Sequence, residues 1–233
     1  MNNLLRRRFF CISSIQDSQE YLTHCLINGN LNSTVFKGTL YELYVKSYLE
    51  SNFHCFDLIK IGGANDNGAD IIGRWNLLPF YEEIKHEEIG KLPVGASLLK
   101  TSIESKYFNC ARTQTSLSDI NLVVQCKNHK GKLGPMYIRE AGIVLNHLKY
   151  PKNSSFMFIV SPNNLSTKAI DQMNNTQSAL IHLSITPLTC ENHSKDLKKW
   201  KGGNLSSIYI NNYARKLLMG FKMEQQLKKY ILD

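Results

Sequence analysis

Long apolar runs are missing from this chain. Its most continuous ones, Leu122–Val124 and Phe156–Val160, fall far short of the ~18 residues a membrane-spanning helix needs, which excludes polytopic membrane function. Paired cysteines are missing too. Cys11, Cys25, Cys55, Cys110, Cys126 and Cys190 stand far apart, with no Cys-x-x-Cys and no Cys/His ligand spacing. A disulfide scaffold or zinc knuckle is therefore not expected, and scattered thiols in a reducing compartment are the simpler account. Acidic residues are scarce, 19 Asp+Glu against 28 Lys+Arg, so the formal charge is +9 and an anionic partner, nucleic acid or a membrane surface, is favoured. No internal repeat or low-complexity block occurs. Hydrophobic residues at 42% and charged residues at 20% of 233 positions exclude wholesale disorder and leave room for one domain with extensions.

The first acid is Asp17. Before it stand Arg6, Arg7, Arg8, Ser13 and Ser14, the composition of a mitochondrial transit peptide rather than of a secretory signal, whose apolar stretch is longer than Phe9–Ile12. The expected organisation is a transit peptide and tail over residues 1–30, a domain over 31–190 and a basic helical extension over 191–233. The expected location is the mitochondrion, its matrix in particular.

Within the domain, Ser33–Leu49 carries Phe36, Leu40, Leu43 and Tyr44 at helical spacing behind the capping candidates Asn32, Ser33 and Thr34. Phe56–Ile61 and Ala69–Gly73 read as strands either side of a glycine turn. Asn121–Lys127, Phe156–Val160 and Leu180–Ile185 read as further strands, with helices over Pro135–Leu148 and Ser166–Asn175 between them. Residues 76–118 have little periodicity and read as an insertion. Such alternation with continuously apolar strands predicts an α/β fold, a mixed central sheet of about five strands flanked by helices.

The turn Gly62-Gly63-Ala64-Asn65-Asp66-Asn67-Gly68-Ala69-Asp70 has the glycine spacing of a phosphate loop. It continues with Ala-Asp where that loop needs Lys-Ser/Thr, so it is not one. An Asx/Gly turn explains the composition; a second reading is that it sets the Asp70 carboxylate at the mouth of the sheet, where Mg²⁺ needs only one or two protein carboxylates beside a substrate phosphate. On the strand Val123-Val124-Gln125-Cys126-Lys127, Gln125 and Lys127 project to one face and Val124 and Cys126 to the other. Glu42 stands four residues before Lys46, an i,i+4 pair worth about 0.3–0.5 kcal/mol, and its aromatic and aliphatic neighbours equally suit a functional role. His86-Glu87-Glu88-Ile89-Gly90 starts like a zinc-protease helix but lacks the second histidine.

Taken together, Gly38-Thr39-Leu40-Tyr41-Glu42, Gly63–Asp70 and Gln125-Cys126-Lys127, followed by Arg139-Glu140, resemble the PD-(D/E)xK nuclease superfamily, in its restriction-endonuclease-like branch of Mrr type. More narrowly, Val35–Glu42, the turn and Val123–Lys127 resemble a fungal mitochondrial family called required for respiratory growth, the seventh of that name. The nuclease resemblance implies a restriction-endonuclase-like core and Mg²⁺- or Mn²⁺-dependent hydrolysis of DNA phosphodiesters. Asp70 would ligate the metal with Glu42 as second carboxylate and Gln125 as a neutral oxygen donor. Lys127 would orient or help deprotonate the attacking water, while Asp66 shapes the turn. Lys130, Lys132 and Arg139 form a basic cluster suited to the nucleic-acid backbone, and Lys195, Lys198, Lys199 and Lys201 with Trp200 offer charge and stacking. Each cluster equally suits a solvated surface. A homodimer is compatible with cleavage of both strands, and no integral membrane association is expected. A nuclease-fold protein that binds nucleic acid with weak or no cleavage is the alternative, and a basic structural subunit of a mitochondrial assembly a third.

Overall fold

The computed structural model describes residues 15–28, 31–61, 68–85, 99, 117–190 and 194–231. Two helices lead: α1 (Ser18–Asn28) and α2 (Thr34–Asn52). Ser33 caps α2, its hydroxyl oxygen accepting from the Phe36 N–H at 3.0 Å. Strands β1 (Cys55–Lys60) and β2 (Ile71–Trp75) follow, then α3 (Leu78–Lys85), β3 (Ile120–Cys126), α4 (Pro135–His147), β4 (Ser155–Ser161), α5 (Thr167–Asn174) and β5 (Ala179–Ile185). The chain closes with β6 (Leu205–Ile210), α6 (Asn212–Leu217) and α7 (Met223–Lys228).

The six strands form one mixed sheet in chain order. The β1–β2, β2–β3 and β5–β6 pairs are antiparallel, and β3–β4 and β4–β5 are parallel, bridged by α4 and α5. Strand residues alternate between two apolar layers. Leu122, Val124, Phe156, Phe158 and Ile181 face the layer formed with α2, α3, α6 and α7. Val123, Met157, Ile159 and Leu180 face the layer under α4 and α5. The expected α/β architecture is therefore present, with one strand more than the five read from the pattern. That strand, β6, lies in the segment expected to be a helical extension, and α6 and α7 beside it put Ala214, Leu217 and Leu227 in the core.

Residues 15–28, expected in the tail, pack as α1 against α2 through Ile15, Tyr21, Leu22, Phe36 and Leu43; residues 1–14 lie outside the described residues. The expected insertion contributes Leu77, Phe80, Tyr81, Leu99 and Leu117 to the main core, while 86–98 and 100–116 are not described. Gln16 also covers the outer edge of β1. Its Nε2 donates to the Lys60 carbonyl at 3.1 Å and its Oε1 accepts from the Lys60 N–H at 2.7 Å, so one side-chain amide stands in for a neighbouring strand.

Helix α2 is tied across the sheet by two tyrosines. The Tyr41 hydroxyl donates to the Ile185 carbonyl at 2.8 Å, and the Tyr44 hydroxyl donates to the Gly203 carbonyl at 3.0 Å. Gly203, at φ +74°, leaves room for that phenol, which a Cβ there would strike. These anchors fix the height at which the next residue, Glu42, meets the sheet.

Under α4 and α5, His182 is 1% exposed, and its Nε2 lies 2.9 Å from Ser161 Oγ. Ser161 donates its own proton to the Asn163 carbonyl at 2.6 Å, so the histidine must be the donor between them and cannot serve as base to that serine. Burial pushes the His182 pKa from 6.5 down to about 4. Between those values the unfolded chain binds the extra proton, so His182 supports full stability above pH 6.5 and withdraws it as pH falls towards 4. The loss amounts to roughly 3 kcal/mol. Urea melts should show His182→Gln gaining about 2 kcal/mol on wild type between pH 7 and pH 4.5; a pH-independent difference would contradict this assignment.

Candidate functional site

The β2–β3 ladder runs in register from Trp75 opposite Ile120 to Ile71 opposite Val124, and there it stops. Asp70 still donates its N–H to the Val124 carbonyl at 2.9 Å. The next N–H of β3 on that side, from Cys126, donates to Asp70 Oδ2 at 2.6 Å. A carboxylate thus takes the place of a backbone carbonyl, a charge-assisted bond that fixes Asp70 at the rim with 9% of its surface exposed. Of the turn before it, residues 62–67, including Asp66, are outside the described part. Gly68 is described, and it has to be glycine: φ is +83°, and a Cβ would lie 3.0 Å from Gln125 Nε2 and 3.2 Å from Val144 Cγ2.

Gln125 follows Val124 on β3, on the face that Val123 shares with α4. It is 0% exposed, and both amide atoms, Oε1 and Nε2, lack a hydrogen-bond partner. Asn211 shows how a structural amide is treated in the same protein. It too is 0% exposed, yet its Oδ1 accepts from Leu180 and Ala214 N–H groups and its Nδ2 donates to Met173 and Ser178 carbonyls. An unpartnered buried amide costs about 1–3 kcal/mol, so Gln125 is held against a stability gradient.

Lys127 comes next on the Gln125 face, its Nζ 5.8 Å from the centroid of the Tyr137 ring on α4. Cys126 points the other way, towards α2. Burial raises its thiol pKa well above the ordinary value, Asp70 and Glu42 raise it further, and Lys127 and Lys60 oppose them. The thiol is therefore no nucleophile. The charged groups that act on it are Glu42 on α2, Lys60 on β1, Asp70 just before β2 and Lys127 just after β3.

Lys60 is the member that sequence reasoning missed. Its Nζ pairs with Glu42 Oε2 at 3.0 Å, both side chains largely buried. Lys46, expected as the partner of Glu42, instead meets Glu50 at 3.1 Å. The basic residues Lys130, Lys132 and Arg139 are exposed, on the loop leaving β3 and on α4.

Among the described residues no three His, Cys, Asp or Glu side chains gather as a metal cage. The oxygens available are the carboxylates of Asp70 and Glu42 and the amide of Gln125. These are the oxygen types that Mg²⁺ or Mn²⁺ takes, but the structure turns the fully buried Gln125 towards α4, on the opposite face of β3 from α2 and Glu42.

With this geometry in view, the family model for "Required for respiratory growth protein 7" matches residues 33–218. That stretch holds α2, the whole sheet and every member of the cluster. The chain belongs to that family. It is 32% identical over 212 residues to the protein of that name from Vanderwaltozyma polyspora, covering 87% of this chain and 84% of the relative. It is 31% identical to the Zygosaccharomyces rouxii protein, over 84% and 82% of the two chains. Against the Saccharomyces cerevisiae protein it is 28% identical, over 84% of each. All three are named as mitochondrial, in agreement with the address read from the N-terminal composition. No solved structure matches the chain. Among the described residues, no helix is long and apolar enough to cross a membrane.

The orphaned amide supplies a direct test. Gln125→Met keeps the volume and removes both unpaired polar atoms, so in metal-free buffer it should raise the unfolding free energy by about 1–3 kcal/mol. Denaturant melts that show a loss of similar size would mean the amide has a structural partner.

Proposed function

We propose that this family member is a metal-dependent phosphodiesterase acting on DNA in the mitochondrial matrix, and that it serves mitochondrial DNA maintenance and hence respiratory growth. The observation that carries the reading is the Asp70 carboxylate bound to the backbone of β3 at 2.6 Å, next to an unpartnered Gln125 and a strand-end Lys127. Helical Glu, strand-edge Asp and Gln-x-Lys on the adjacent antiparallel strand follow the order of the PD-(D/E)xK nucleases. A net charge of +9 suits a polyanionic substrate.

In this scheme Asp70 and Glu42 would hold Mg²⁺ or Mn²⁺, and the Gln125 amide oxygen, buried towards α4, would have to turn to the rim to serve as a neutral third donor. Such a metal supplies Lewis acidity and acidifies bound water. Lys127, with its ammonium at the open end of β3, orients the attacking water and stabilises charge building on the phosphoryl oxygens. Lys60 holds the Glu42 carboxylate in place until substrate arrives. Lys130, Lys132 and Arg139 grip flanking phosphates, so binding weakens steeply with salt.

A second reading has its own observation. The Glu42 carboxylate is neutralised by Lys60 at 3.0 Å, and Gln125 adds no charge, so the site attracts a dication less strongly than a two-acid strand pair. On this reading the protein binds nucleic acid without cutting it.

Plasmid nicking in Mg²⁺ or Mn²⁺ separates the two. Wild type should nick, and Asp70→Asn and Lys127→Ala should each lower the rate by about 100-fold or more with DNA affinity kept. Binding without any nicking by the wild type would leave only the second reading.

A further inference from the structure

Beside the cluster, where β3, β4 and β5 end, lies a cleft of about 470 Å³, within the ~300–1,000 Å³ range of small-ligand sites. It borders the cluster along the chain at two places. Tyr41 lines it one residue before Glu42, and Asn128 lines it one residue after Lys127.

Its walls mix aromatic with aliphatic and proline side chains, and its rim is basic. Phe36, Tyr41 and Trp200 line it, with Lys37, His129 and Lys130, and no Asp or Glu is among its described lining residues. Trp200 is held in place: its Nε1 donates to the Ser194 carbonyl at 2.9 Å, and its ring sits 6.4 Å from that of Phe36. Phe36 is in turn stacked on Tyr21 of α1 at 5.8 Å. A fixed, partly exposed indole beside exposed lysines is the combination that binds an unpaired base by stacking and its phosphate by charge.

The geometry points to this cleft as the seat of an unpaired nucleotide of a single-stranded nucleic-acid segment, next to the scissile phosphate. The inference deepens the nucleic-acid reading above and rests on it. A duplex keeps its bases stacked and cannot insert one here without unpairing it. Single strands, flaps and junctions offer one freely, so the preferred substrate carries unpaired nucleotides.

The two tryptophans make the test direct. Trp75 is 0% exposed, its Nε1 donating to the Phe53 carbonyl, so changes in emission on binding report Trp200. The full chain is titrated in EDTA with oligothymidylate and with a blunt duplex of equal length, following tryptophan emission and, with labelled DNA, anisotropy. The single strand should quench emission and bind tighter than the duplex. Trp200→Ala should lose the quenching and about tenfold in single-strand affinity, with duplex affinity unchanged. Lys37→Glu, on the exposed rim and clear of the core, should weaken single-strand binding without altering the melt. Tight single-strand binding with no quenching, or both variants binding as wild type, would overturn the inference. So would quenching by an apolar dye and not by oligothymidylate, which would assign the cleft to an apolar ligand. Because no metal is present, a protein that never nicks plasmid can still pass, and one that nicks but shows no quenching refutes the cleft alone.

Discussion

The site hangs on one hydrogen bond, from the Cys126 N–H to the Asp70 carboxylate. An antiparallel ladder that ends inside a sheet leaves an inward N–H to be satisfied. Here a side chain satisfies it, and Asp70 gains a position as rigid as the strand it leans on. The rest follows from strand geometry. Gln125 lies on the face towards α4, Cys126 on the face towards α2, and Lys127 at the open end. Helix α2, pinned by Tyr41 and Tyr44, brings Glu42 to the same rim, where Lys60 meets it. Carboxylates and ammonium groups lie together at this strand end, Glu42 paired with Lys60 and Asp70 bound to the backbone of β3.

The buried polar residues divide into two kinds. Asn211 uses its whole amide to splice the start of α6 to β5 and the end of α5. His182 and Ser161 donate hydrogen bonds in one direction, ending on a backbone carbonyl, a structural chain and not a nucleophile with its base. Gln125 is different, because burial without partners lowers stability and buys no packing that methionine would not give. Residues kept on such terms are those whose free atoms have a task.

Much of this was legible in the sequence. Period-two alternation assigned Gln125 and Val124 to opposite faces correctly, and the capping and apolar spacing of α2, α4 and α5 placed them within a few residues. Strand β6 was not legible, because a register shift at Ser184/Ile185 pairs Ile185 with Leu205 and Ser184 with Ser207. That bulge puts Leu205 and Ile208 in the same layer and erases the alternation. Lys60 escaped notice for another reason. Its partner Glu42 lies on α2, across the turn into β1, and no local spacing encodes such a pair, whereas the local rule nominated Lys46, which Glu50 had taken. Helix α1 and α3 were hidden inside segments whose composition resembled a leader and an insertion, and only their packing reveals them as core.

The central claim is that Asp70, Glu42 and Gln125 are an oxygen-donor set for a divalent cation. Anomalous diffraction from crystals grown with Mn²⁺ and a non-hydrolysable oligonucleotide tests it most directly. The account predicts a peak in direct bonding distance of an Asp70 oxygen and of Gln125 Oε1, with Glu42 bound to it or bridged by water. Density at the rim without an anomalous peak, with Gln125 Oε1 still unpartnered and Glu42 still paired with Lys60, would contradict it.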